Sequence, residues 1–305
     1  MTVGVDLKIE EELTDHMKTD SSLLWIWLSI AFSPANKRLW DVLSYYDDMS
    51  EMCADLMNRQ CGYVTHKESE QIAYCSLSQA EEIERYCHKR GIYIMTRDDP
   101  LYPERLKNID CPPVVLFCRG DLQCLSQKKS VAVVGSREAS NYSLAVAQEF
   151  SAYLACQGVT VISGFAVGID TAAHTAAMNT GGKTVAVLGC GIEYDYPKNT
   201  MGFRKSVSSH GAVISEYFPQ AKPVPENFKV RNRIVSALSD GVLVVQAGTK
   251  SGTLNTVNHA MSQGKEVFVI PPHDILCTDY AGQSALLRDG ATAVYAPHDI
   301  LYYLK

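Results

Sequence analysis

Two short β-branched runs, each ended by a small-residue turn and followed by a helical period, limit this chain more than any other feature. The first is Val-Ala-Val-Val at 131–134, closed by Gly135. The second covers 159–162 and is closed by Ser163 and Gly164. Apolar runs of this length fit strands covered on both faces. Between them Leu144, Ala147, Phe150, Ser151 and Leu154 recur at helical spacing, and Gly158 stands where a C-terminal cap is expected. Strand, helix and parallel strand make a right-handed crossover. That connection gathers the strand-end turns and the following helix N-termini on one rim. Free N–H groups and positive helix ends favour anions there. Gly135, Gly164 and Gly168 are expected to let a ligand approach the backbone closely. Arg137 adds a planar cationic fork suited to phosphate.

The alternation continues downstream. Strands are expected at 184–188, 212–214, 242–245, 266–270 and 292–294, with helices at 141–157, 168–179, 230–239 and 252–263. This is an α/β pattern: a mainly parallel, doubly wound sheet with helices on both faces. Upstream, a helix over 76–90 has Ser78 as its expected N-cap and Gly91 as its stop, and short strands follow at 92–95 and 114–118. Residues 21–59 read as helical, with Ser33-Pro34 as a break and Pro34 opening the next helix. The most apolar run, 23–32, is too short to span a membrane and reads as a buried helix. Residues 1–20 are polar and expected to be loosely ordered. These shifts divide the chain into a helical domain at 1–67 and an α/β domain at 68–305, with no further domain after the last strand.

Composition excludes several function classes. With 46% hydrophobic and 20% charged residues, this is an ordinary globular chain with a net charge of -6. Nucleic acid could then be held only in a local basic groove, not on a uniformly basic surface. The ten cysteines form no CxxC pair and no signal peptide precedes them, so they read as reduced core residues of a cytoplasmic protein.

One such groove is legible. Residues 222–233 carry Lys222, Lys229, Arg231 and Arg233 against the single acid Glu226, with Phe228 among them. Cations beside an aromatic ring suit unpaired polynucleotide, whose phosphates need neutralising and whose bases can stack. Lys250-Ser251-Gly252-Thr253 opens a helix after a strand and resembles a phosphate cradle, although the Walker A order is absent. Gly189-Cys190-Gly191 lacks the third glycine of a dinucleotide fingerprint. Asp170, His174, Glu193 and Glu216 fall near the rim, but no nucleophile stands with a base at a recognisable spacing. Asp170 and His174, one helical turn apart, are expected to bond each other. His273 and Cys277 do not make a zinc site. No catalytic residue, metal or cofactor is assigned.

The motifs Val134-Gly135-Ser136-Arg137, Ser163-Gly164-x-Ala166-x-Gly168-Ile169-Asp170, Arg231-Asn232-Arg233-Ile234 and Lys250-Ser251-Gly252-Thr253-Leu254 occur in order. Tyr102-Pro103 and Pro112-Pro113-x-x-Leu116-Phe117-x-Arg119-Gly120 precede them. Together they resemble the DprA/Smf family of DNA-processing proteins over residue 76 to the C-terminus. The resemblance implies an extended Rossmann-like fold behind a small helical domain of sterile-alpha-motif type. It further implies a homodimer that binds single-stranded DNA, protects it and loads the RecA recombinase in natural transformation. Its DNA pocket would include Arg137, Ser163, Gly164, Phe228, Arg231, Asn232, Arg233, Lys250, Ser251 and Gly252. Lys229 joins them by charge, standing where the family usually has Pro. Gln246, Pro272 and Ser284 depart from the usual Glu, Gly and Asn, and both the Gly-rich hairpin of the N-terminal domain and the C-terminal winged helix are missing. The alternative is a Rossmann-like nucleotide phosphoribohydrolase, but the Glu that such enzymes carry shortly after Gly-Thr is absent before Glu266.

Overall fold

The computed structural model of the protein describes residues 21–304; the expectation for 1–20 lies outside the described residues. The chain forms two compact units. One contains the described residues up to Tyr102 together with Asp110–Leu116; the other contains Pro103–Ile109 and the described residues from Phe117 onward.

The first unit is built around α1 (Ser21–Ala31), whose residues Leu24, Trp25, Ile26, Trp27 and Leu28 are all buried. Five successive buried positions leave no solvent face, as expected of a helix enclosed by others. The indoles keep their polar edges satisfied: Trp25 Nε1 donates to Asp98 Oδ2 at 2.6 Å and Trp27 Nε1 to the Cys75 carbonyl at 3.0 Å. Around it lie α2 (Lys37–Leu43), α3 (Met49–Met57), α4 (His66–Ile72), α5 (Leu77–Arg90) and strand β1 (Tyr93–Thr96). Pro34 does not open α2; Asn36 caps it, accepting from Arg38 N at 3.0 Å. Ser76, not Ser78, caps α5 in a capping box with Gln79, and Gly91 ends it at φ 62°. Because α5 packs against α1, the division between units falls after Tyr102 and not near Glu68.

The second unit is the sheet. After the short helix α6 (Glu104–Lys107) come β2 (Val115–Gly120), β3 (Ser130–Gly135), α7 (Asn141–Cys156), β4 (Thr160–Ser163), α8 (Ile169–Asn179) and β5 (Thr184–Leu188). They continue as α9 (Met201–His210), β6 (Ala212–Ser215), α10 (Pro225–Leu238), β7 (Gly241–Gln246), α11 (Thr253–Ser262) and β8 (Glu266–Val269). Last come α12 (Ala281–Arg288), β9 (Thr292–Ala293) and α13 (Pro297–Tyr303). The strands lie in the order β2-β6-β5-β4-β3-β7-β8-β9. All neighbours in this series are parallel except β2 and β6, where Phe117 pairs with Ser215 and Gly120 with Ala212. This is the mainly parallel, doubly wound, Rossmann-like sheet expected. After the last strand, Pro297 opens α13 at its first turn.

Val131, Val133, Val161, Leu243 and Phe268 are among the buried side chains that α7 and α8 cover on one face. Crossovers run one way from β3 through β4 to β6 and the other way from β7 to β9. Strand order therefore reverses between β3 and β7, where an open α/β sheet leaves a crevice outside its strand ends.

Gly135 serves this packing. A Cβ there would fall 2.5 Å from Ile169 Cγ1, and at Gly168, with φ +84°, one would fall 2.4 Å from the Ser136 carbonyl. Each glycine makes room for the protein's own chain. Gly135→Ala should lower stability by about 1–3 kcal/mol through overpacking of β3 against α8. Urea unfolding monitored by circular dichroism reads the change directly.

Candidate nucleic-acid interface

The crevice at the reversal holds a cavity of about 660 Å³. The turn after β3 supplies Ser136, Arg137 and Glu138, and the turn after β4 supplies Gly164 and Ala166. The turn after β7 supplies Lys250, Ser251 and Gly252. Helix α10 forms a further wall. It begins at Pro225, a favoured first helical residue, and not near residue 230 as the apolar period suggested. The earlier start puts Phe228, Arg231, Asn232 and Val235 at three- and four-residue intervals on one face, and all four line the cavity.

Phe228 lies near two cations. Arg137 lies 5.6 Å and Arg231 5.9 Å from its ring centroid, within range of cation–π attraction. Arg137, Lys229 and Lys250 are exposed, so their charges can reach a ligand. Arg231 acts from below. It is buried, and Nη1 donates to the Gly164 carbonyl at 2.6 Å and to the Val187 carbonyl. Burial pulls its pKa down to about 10, so it stays cationic at neutral pH. A Cβ on Gly164 would lie 2.6 Å from Arg231 Nη2, which explains glycine at that position.

Two acids share the cavity wall, Glu138 and Asp170. Asp170 Oδ2 accepts from Gly164 N and Ala166 N, both at 3.1 Å. Burial pushes its carboxyl up, against the opposing pull of Arg231 and these amides. The amides after β4 are thus engaged by the protein's own carboxylate. Exposed cations at the mouth outnumber the one exposed acid, Glu138.

Of the residues expected in the pocket, Arg137, Gly164, Phe228, Lys229, Arg231, Asn232, Lys250, Ser251 and Gly252 line it. Ser163 and Arg233 do not. Ser163 is the last residue of β4, and its buried hydroxyl donates to the Val133 carbonyl at 2.7 Å. Arg233 points to the other side of α10, where Nη2 meets Glu216 Oε1 at 2.7 Å in a buried ion pair. His174 does not bond Asp170. Its Nδ1 lies 2.7 Å from Thr184 Oγ1, and the Thr184 hydroxyl itself donates to the Val161 carbonyl, so the imidazole proton is on Nδ1. Burial holds the His174 pKa down to about 3, which leaves the ring neutral.

The profile of the DNA recombination-mediator protein A family matches residues 93–305. The chain belongs to that family. DNA processing protein DprA of Bacillus subtilis is 36% identical over 213 residues, 70% of this chain and 71% of that protein. DprA of Streptococcus pneumoniae is 40% identical over 203 residues, 67% of this chain and 71% of its own length. The X-ray structure of Streptococcus pneumoniae DprA superimposes with a TM-score of 0.81 at 30% identity, covering 94% of this chain and 99% of that one. A structure of Helicobacter pylori DprA, described for its single-stranded DNA binding mode, gives a TM-score of 0.63 at 29% identity. It covers 69% of this chain and 95% of that one.

Within this member of the family, two side chains that shape the interface escaped the motif reading. Tyr196 lines the cavity and packs its ring 5.4 Å from Phe228. Gln283, next to the Ser284 that the family comparison singled out, is buried beneath the Lys250 turn. Its Oε1 accepts from Ala247 N at 3.2 Å, and its Nε2 donates to Val245 and Ile270 carbonyls at 2.9 and 2.7 Å. Gln246 ties the two opposing turns: its carbonyl accepts from Ser136 N and its Oε1 from Ser140 N, both at 2.9 Å. Among the described residues no group of three His, Cys, Asp or Glu side chains is placed to hold a metal ion, and no helix is long and apolar enough to cross a membrane.

The placement of Arg233 separates structure from binding. Arg233→Met leaves Glu216 buried without its cation and should destabilise the protein by about 3–5 kcal/mol. At temperatures where the variant stays folded, its affinity for an oligonucleotide should equal that of wild type; a denaturation curve with a binding titration checks both.

Proposed function

We propose that this protein is a single-strand DNA binder that holds the strand without altering it covalently. One observation carries the reading: an exposed cationic cavity at the strand-order reversal, with an aromatic ring within cation–π range of two guanidiniums. Phosphates lie against Arg137, Lys229 and Lys250, and a base stacks beside Phe228. The finer reading follows the family: the protein works in the cytoplasm during natural transformation, protects incoming DNA and loads RecA onto it. The helices of the first unit are its sterile-alpha-motif-like domain, and no enzymatic step is assigned.

It acts as a homodimer, which doubles the phosphate contacts that one chain can make. Ile275 and Leu276 support an isologous interface: two adjacent aliphatic side chains 79% and 88% exposed beside the stacked rings of Tyr142 and His273. Leu276→Asp should convert the dimer to monomer in a light-scattering measurement.

The binding reading is tested by titrating a labelled oligonucleotide at several salt concentrations. The logarithm of affinity should fall against the logarithm of salt with a slope near -0.7 per phosphate neutralised. Arg137→Glu and Lys250→Glu should each weaken binding to all sequences alike and flatten that slope, because phosphate contacts carry no base information. A preference for duplex, or release of free base from nucleoside monophosphates, would overturn the reading.

A further inference from the structure

The loop from β5 to α9 forms one side of the interface and carries Tyr196. This side chain lines the main cavity and also a smaller one of about 360 Å³ beside it, which Phe165, Leu188, Cys190 and Pro197 help to enclose. Its ring meets that of Phe228 at 44°, so the two present adjoining aromatic surfaces. A loop side chain can hold such a position only if its backbone is fixed.

Arg204 fixes it. This residue lies in the first turn of α9 and is 4% exposed. Its Nη1 donates to the Ile192 and Tyr194 carbonyls at 2.8 and 2.9 Å, and its Nη2 to the Tyr196 carbonyl at 2.9 Å. Three carbonyls of one loop thus converge on one planar guanidinium, a geometry that an ammonium point charge reproduces poorly. The same group lies 5.3 Å from the centroid of the Phe165 ring. Asp195 secures the far end of the loop by accepting from Asn199 N and Thr200 N at 2.8 and 3.0 Å. Burying a cation without a direct carboxylate bond is unfavourable unless its donors are filled. Here Nη1 and Nη2 are filled by the carbonyls of this loop, the Tyr196 carbonyl among them, while Nε is buried without a hydrogen-bond partner.

We infer that Arg204 is a positioning residue for DNA binding: through the Tyr196 carbonyl it sets a second aromatic surface beside Phe228, so that an unpaired base meets two rings. This rests on the single-strand reading above. Arg204 is enclosed and reaches no phosphate, so its contribution is to stacking and not to charge neutralisation. Affinity and salt slope therefore separate its role from those of Arg137 and Lys250.

The experiment is a double-mutant cycle read by oligonucleotide titration, with a 2-aminopurine base reporting stacking. Tyr196→Ala should weaken binding about tenfold, the effect of losing one base–aromatic stack, with the salt slope unchanged. Arg204→Met should weaken it by a similar factor, also without changing the slope. The double variant should bind no worse than either single one. Arg204→Lys should recover part of the loss and part of the 2-aminopurine quenching. Should Arg204→Met fail to fold, Arg204→Lys against Tyr196→Ala completes the same cycle. Losses that multiply, an unchanged affinity in Tyr196→Ala or in the Arg204 variant, or a flattened salt slope would overturn the inference while leaving the binding reading intact. A wild-type protein with no salt-dependent affinity for the oligonucleotide would overturn both.

Discussion

A single buried guanidinium holds the rim of the sheet in shape. Arg231 comes from α10, yet its donors end on carbonyls at the close of β4 and β5, while Asp170 from α8 takes the amides of the β4 turn. Cation and carboxylate each satisfy main-chain groups that would otherwise sit unpaired in a buried turn, and their charges oppose each other across it. Gly164 has no side chain because this pair fills the space where one would stand. The exposed cations are arranged on a frame that the buried one keeps rigid. Arg231 also adds to the field above it without giving up a hydrogen bond to the ligand, so part of the cavity's charge is structural.

This division explains how an acidic chain can offer a cationic surface. The net charge of -6 describes the whole sequence, whereas a strand senses only the groups within a Debye length. Near the interface, Glu216 is spent on Arg233 and Asp170 on backbone amides. Glu193 is paired with Arg119. These three acids are thus consumed by the fold, and the exposed Glu138 is outnumbered by Arg137, Lys229 and Lys250, which remain exposed.

The sheet was legible because its strands are buried on both faces, so their β-branched runs stand apart from the helices in any reading of the chain. The motifs at Gly135, Gly164 and Lys250 were legible for the same reason, since each lies at or just after a strand end, whereas Arg231–Ile234 lies inside α10. The errors arise where facing matters more than residue type. Once Pro225 is seen to begin α10, Phe228, Arg231, Asn232 and Val235 fall on one face, and Arg233 turns away from it. A start at residue 230 hides that relation, and the basic run looks uniform. Ser163 illustrates a different limit. As the last residue of an inner strand it looks like the first residue of a binding turn, and only the hydroxyl's bond to Val133 settles which it is. Tyr196 and Arg204 lie in and after an irregular loop, where no periodicity announces which side chains point inward. Gln283 carried no signal either, because a buried amide is read from its three partners and not from its neighbours in sequence.

The position of the cavity between β3 and β7 has a mechanical consequence. Its walls come from two halves of the sheet wound in opposite directions, and the turns bearing Arg137 and Lys250 belong to different halves. A polyanion seated there is a splint across that seam. Neither half can come apart without letting go of its cargo, so occupancy opposes the opening of both, in proportion to the logarithm of the free ligand concentration.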